Sequence, residues 1–156
     1  MAESLREFAF TLTAMIPKGL AVTARSLQSV ALQGEALMKV NAGAGGSHPY
    51  GQGRNKVGGA PAVVSGDLRR SITHQQDGLG WRIGPSSIPH TKYGSRSGKT
   101  RRGSHKGSAT CGEIGYYLEN GLEGSGPPYP FVQPTVAGIQ NAVEPAFLVT
   151  FNSESW

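Results

Sequence analysis

Cysteine occurs once, at Cys111, so no internal disulfide framework can form. His48, His74, His90 and His105 are scattered and share no zinc-ligand spacing with that thiol. No serine stands in a Gly-x-Ser-x-Gly elbow. No stretch approaches the ~20 apolar residues that a bilayer span requires. Glu3, Arg6 and Glu7 precede any apolar run, which does not fit a secretory signal. Gly94-Ser-Arg-Ser-Gly-Lys-Thr100 looks like a phosphate-binding loop but is one residue short. Tyr93 stands where the first glycine belongs, and no hydrophobic strand precedes it. The expectation is a chain with no catalytic, cofactor-binding or metal-binding residues, and not an enzyme.

What the chain has in excess is glycine. Of 23 glycines, 20 lie between Gly43 and Gly126, and each loses more backbone freedom on ordering than any other residue. That predicts Gly-rich loops at about 42–64, 84–112 and 121–130, hung on a single domain spanning 1–156.

Only 16% of residues are charged, below the roughly 25% of an ordinary globular chain, so the placement of charge is informative. Residues 54–106 carry eleven Lys/Arg against Asp67 and Asp77, a local excess of +9. The rest carries four basic and eight acidic residues. The middle of the chain therefore calls for an anionic partner. Lys92, Arg96, Lys99, Arg101, Arg102 and Lys106 sit on Gly/Ser spacers. This suits sequence-independent contact with DNA phosphate, or with an acidic partner surface, rather than base reading.

Apolar periodicity predicts an α+β fold. Leu5, Phe8, Leu12 and Met15 follow helical spacing behind Ser4, and Pro17 predicts a kink or break near Ile16. Leu20, Ala24, Leu27, Val30/Ala31, Gly34, Leu37 and Val40/Asn41 continue as a stripe to a stop near Asn41-Ala-Gly43, with small residues that would let the helix lie close on a sheet. Asp77-Gly78 reads as the turn of a hairpin, with Ile72, His74 and Gln76 on one face and Trp81 and Ile83 returning. A short helix or strand–helix junction is expected over 113–120, a last helix over about 131–143, and a final strand over 146–151.

Three segments specify backbone geometry closely. In Ser65-Gly-Asp-Leu-Arg-Arg-Ser-Ile72, Ser65 and Asp67 can cap a turn anchored by Leu68 and Ile72. In Tyr116-Tyr-Leu-Glu-Asn-Gly121, Asn120-Gly121 can end a helix in the left-handed conformation once Tyr117 and Leu118 are buried. In Pro127-Pro-Tyr-Pro-Phe-Val-Gln-Pro134, Pro130 and Pro134 bracket Phe131 and Val132 at the start of the last helix. Set in this order behind a long amphipathic helix, these segments resemble the tail-completion (neck) family of long-tailed phages.

The resemblance implies a structural virion protein at the head–tail junction, assembled in the host cytoplasm as a homo-oligomeric ring, six copies by family likeness. It would link the tail tube or terminator to the head connector's stopper, with DNA passing through the lumen. The alternatives are a terminator or stopper of the same neck, or a basic nucleic-acid-binding accessory protein. Leu68, Ile72, Tyr117, Leu118, Gly121, Pro130 and Phe131 are the expected scaffold. Arg69, Arg70 and Glu119 are candidate subunit contacts, with Glu119 pairing to an Arg of the next copy.

Overall fold

A computed structural model describes residues 2–46, 59–61, 66–88, 110–121 and 128–154. The order is helix α1 (Ala2–Asn41), helix α2 (Asp67–Ser71), strands β1 (Ile72–Asp77) and β2 (Gly80–Pro85), then helices α3 (Cys111–Asn120), α4 (Val132–Gln140) and α5 (Val143–Asn152). The fold is α+β: a long N-terminal helix, a two-stranded antiparallel sheet and short C-terminal helices.

α1 is one element. Of the kink or break expected near Ile16, the break does not occur, and Pro17 lies inside the helix. Proline removes one backbone donor. Nearby, Thr11 and Thr13 donate their hydroxyls back to the carbonyls of Glu7 and Ala9 at 2.9 and 2.8 Å. The buried face of α1 carries Val22, Ser26, Val30, Ala31, Gly34 and Met38, and continues into Ala42 just past its end; it is rotated somewhat from the expected stripe, so that Leu20, Ala24 and Val40 face outward. Ser26 tolerates burial because its hydroxyl donates to the Val22 carbonyl at 2.8 Å.

The hairpin has the expected face. Ile72 opposes Pro85, His74 opposes Ile83 and Gln76 opposes Trp81. Its two-residue connection is Gly78-Leu79, and Gly78 has φ +61°, the positive value that the first central residue of a type II′ turn needs. The hairpin lies against α1, where a Cβ on Gly34 would come within 2.6 Å of Ile83 Cδ1.

Ser65 lies outside the described residues, and the capping expected of Asp67 is replaced. Gly66, at φ +77°, is the N-cap of α2 and supplies no side chain. Asp67 is the first helical residue and pairs with Arg70 one turn on. α3 has a capping box that the sequence reading missed. Thr110 Oγ1 accepts the Glu113 amide at 3.2 Å, and Glu113 Oε2 accepts the Thr110 amide at 2.8 Å. The Thr110 amide, and then its hydroxyl donating to Glu113 Oε2 at 3.1 Å, hold the Glu113 carboxyl below its ordinary range. α3 ends at Gly121 as expected, with positive φ but an extended ψ of 169° rather than the left-handed helical value.

The last helix is shorter than expected and is followed by another. Residues 146–151, read as a strand, belong to α5. The chain passes from α4 to α5 through Asn141-Ala142, and the Ala146 amide donates to the Ala142 carbonyl at 3.1 Å. Helical spacing sets Ala146 and Thr150 on the half-buried side and stacks the Phe147 and Phe151 rings with centroids 5.9 Å apart. A helix satisfies its own backbone, whereas a strand here would need an edge to pair with.

The core joins Met38 of α1 and Ala42 just past its end with Leu68, Ile72 and Phe131, and Ile83, Leu118 and Val132 pack around it. Phe131 and Ile72 are fully buried. Gly115 lets α3 approach, because a Cβ there would lie 2.6 Å from Pro85 Cγ and 3.4 Å from Phe131 Cζ.

Candidate interaction surface

α4 and α5 run antiparallel to α1, and three contacts mark their course. Asn41 Nδ2 donates to Thr135 Oγ1 at 3.0 Å. Gly138 sits against Leu37. Arg25 pairs with Glu154 just past the end of α5. α5 therefore leaves α1 near Arg25, while α1 continues toward Ala2 for about 30 Å at ~1.5 Å per residue.

That continuation is an arm. The side chains described between Arg6 and Lys18 are all exposed. Leu12, Met15, Ile16 and Gly19 follow spacings of three and four into Val22, Ser26 and Val30, so the face that is buried inside the body runs on uncovered. Residues 8–17 contain no charge. Exposed apolar side chains at one face of a helix mark an interaction site when they are contiguous.

A second apolar surface lies on α5. Between Glu144 and Glu154 there is no charge, and apolar side chains point in every direction around the helix. A helix apolar all round is ordinarily buried, yet no residue of α5 is buried, and Val149 is 71% exposed.

Most of the residues expected to carry the scaffold are buried or partly buried. Leu68, Ile72 and Phe131 are buried, Leu118 packs on them, and Gly121 and Pro130 are partly buried. Tyr117 is the exception. It is 40% exposed, its ring edge-on to that of the still more exposed Tyr116, because Gly115 and Leu118 hold the inner side of α3. Arg69 and Arg70 are exposed on α2.

Glu119 has an internal role that the sequence reading missed. Its Oε2 accepts the amides of Phe131 and Val132, each at 2.8 Å, and its Oε1 accepts that of Gln133 at 3.0 Å. The next residue is Pro134, which has no N–H. One carboxylate thus satisfies every donor of the first turn of α4, and its negative charge lies at the positive end of the helix dipole. The Glu119 carboxylate, expected to pair with a neighbour's Arg, is engaged here within its own chain. Lys92, Arg96, Lys99, Arg101, Arg102 and Lys106 lie outside the described residues.

Glu35, His74 and Lys39 form the main titratable cluster described. Glu35 Oε2 accepts the His74 amide at 3.0 Å and lies 2.5 Å from the ring Nδ1, while Oε1 pairs with Lys39 one turn along. The bonds from Lys39 and then His74 hold the Glu35 carboxyl down to about 2, against the opposing effect of burial. The His74 ring also tilts against Trp81 at 5.3 Å. The cluster pins β1 to α1. Among the described residues, no group of three His, Cys, Asp or Glu is placed to hold a metal, and no helix is long and apolar enough to cross a membrane. Comparison with known protein families, with curated proteins and with solved structures finds no match.

Proposed function

We propose that this chain is a structural assembly protein, a ring-forming component of the head–tail junction of a long-tailed phage. The observation that carries the assembly part is the pair of uncovered apolar helical surfaces, the arm of α1 and α5. Exposed apolar area of this kind is what an obligate neighbour covers. The phage part rests on the three sequence segments and their order. In this reading the ring caps the tail tube, meets the terminator on one side and the connector's stopper on the other, and passes DNA through its lumen. It is a virion protein assembled in the host cytoplasm, six copies to the ring, and its work is adhesive rather than catalytic. A terminator or stopper role in the same neck uses the same surfaces.

The experiment is native mass spectrometry and negative-stain imaging of the purified chain, with and without tail tubes. Closed rings that bind tubes without DNA are expected. A second reading, a nucleic-acid-binding accessory protein, draws on the +9 excess over residues 54–106. Salt-sensitive DNA binding by a chain that stays monomeric and ignores tail tubes would replace the ring reading with that one.

A further inference from the structure

We infer that Asn120 is a deamidation site gated by the fold: the last turn of α3 holds the reacting groups apart, and only its opening lets the Gly121 nitrogen close on the Asn120 side chain. The inference is independent of the ring reading.

Asn120-Gly121 is the only Asn-Gly pair in the chain. The chemistry needs no catalyst. The Gly121 backbone nitrogen, having given up its proton, attacks the side-chain amide carbon of Asn120. The new C–N bond closes a succinimide ring, and the side-chain nitrogen leaves as ammonia. Water then opens the ring at either carbonyl, giving aspartate or isoaspartate. Glycine favours the attack because no Cβ crowds its nitrogen. Every other asparagine, Asn41, Asn55, Asn141 and Asn152, precedes a residue with a Cβ. Asp77-Gly78 has the right neighbour, but the Asp77 carboxylate pairs with Arg82 Nε at 2.7 Å, and a carboxylate held by a cation is a poor electrophile. Asn120 is exposed, so water reaches it.

Both reacting groups are held in the native chain. The Gly121 N–H donates to the Tyr117 carbonyl at 2.8 Å, which retains its proton and fixes it at the helix end. Asn120 Nδ2 donates to the Tyr116 carbonyl at 3.0 Å, so the side chain is turned back over the preceding turn. Attack requires both bonds to break. The turn that must open also carries Glu119, whose bonds to the amides of Phe131, Val132 and Gln133 tie it to α4. The rate therefore follows the fraction of time for which this turn is open. The product recloses poorly. A carboxylate in place of the amide loses the donor to Tyr116 and sets negative charge beside Glu119, at the negative end of the α3 dipole. Deamidation thus makes one opening of the α3–α4 junction permanent.

The test is incubation of the full chain in mildly alkaline buffer, native and in urea, with peptide mass spectrometry locating each amide-to-acid conversion. In urea, Asn120 should convert ahead of the other asparagines, and faster as pH rises. In the native chain it should convert at least about tenfold more slowly, the factor that ~1.4 kcal/mol of local stability gives. Glu119→Ala, kept below its own urea transition, should speed conversion at Asn120 and leave Asn152 at the parental rate. Asn120→Asp, the product itself, should unfold at lower urea than the parent. If Asn120 converts no faster than Asn152 in urea, it is not the site. Equal rates native and in urea mean that the fold does not gate it. If Glu119→Ala leaves Asn120 unchanged, or speeds Asn152 equally, the last turn of α3 is not the gate. A parental urea midpoint in Asn120→Asp removes the loosening by the product.

Discussion

Glu119 caps a helix to which it does not belong: its carboxylate accepts the Phe131 amide at 2.8 Å, twelve residues further along the chain. The adjoining bonds to Val132 and Gln133 make α3 and α4 a single unit built around the fully buried Phe131 ring. Glu119→Ala leaves three helix-terminal donors without an acceptor. We expect a loss of about 1–3 kcal/mol, in line with caps and charged hydrogen bonds. Glu119→Gln, with one acceptor oxygen, should recover part of it. Urea denaturation followed by circular dichroism measures both, and equal midpoints for parent and Glu119→Ala would remove this role.

Glycine should respond oppositely at two helical positions. Gly115 has the Pro85 ring 2.6 Å from where a Cβ would sit, so Gly115→Ala should destabilise by about 1–3 kcal/mol through overpacking. Gly19 has nothing within 4 Å, and Gly19→Ala should strengthen α1 by about 0.5–1 kcal/mol. Thermal melts of the two variants should shift in opposite directions.

Acid should loosen the attachment of the hairpin to α1. The Glu35 carboxyl is lowered from 4.5 to about 2 by Lys39 and His74, so it binds protons less readily folded than unfolded. Its contribution is fully present above the unfolded value and is lost as pH falls through about 2. Stability should therefore decline between pH ~4.5 and ~2, and Glu35→Gln should flatten that part of the profile. Denaturation midpoints at a series of pH values give the comparison. An unchanged slope in the variant would locate the acid sensitivity elsewhere.

Cys111 should be silent in the native chain. It is fully buried at the start of α3, and its amide donates to the Ile88 carbonyl at 2.8 Å. A thiol reagent should label it at the rate of unfolding, with immediate labelling only in denaturant. Fast native labelling would mean that α3 opens locally from the body.

Much of the frame was legible in the residues. Asp77-Gly78 marked the hairpin, alternation assigned its face, and Asn120-Gly121 marked the end of α3. The misreadings have a common physical origin. A five- or six-residue apolar run such as Ala146–Phe151 suits a strand or a helix equally well by composition. It became helical because α4 delivers it alongside α1 with no sheet edge at hand. Pro17 suggested a break because proline ordinarily interrupts a helix, but the lost bond is a single one within a long helix. Tyr117 looked like core by its ring, yet the inner side of α3 is filled by Gly115 and Leu118.

By itself the sequence determined the α+β class, the long amphipathic helix, the hairpin and the uneven charge, because each is written in local periodicity, turn chemistry or composition. Tertiary structure alone decided which apolar residues find cover. The apolar face of α1 is longer than the elements that pack on it, so Val22 is buried while Ile16, on the same stripe, is not. It also decided that Glu119 serves a distant helix terminus, since a carboxylate takes whichever donors folding brings within reach.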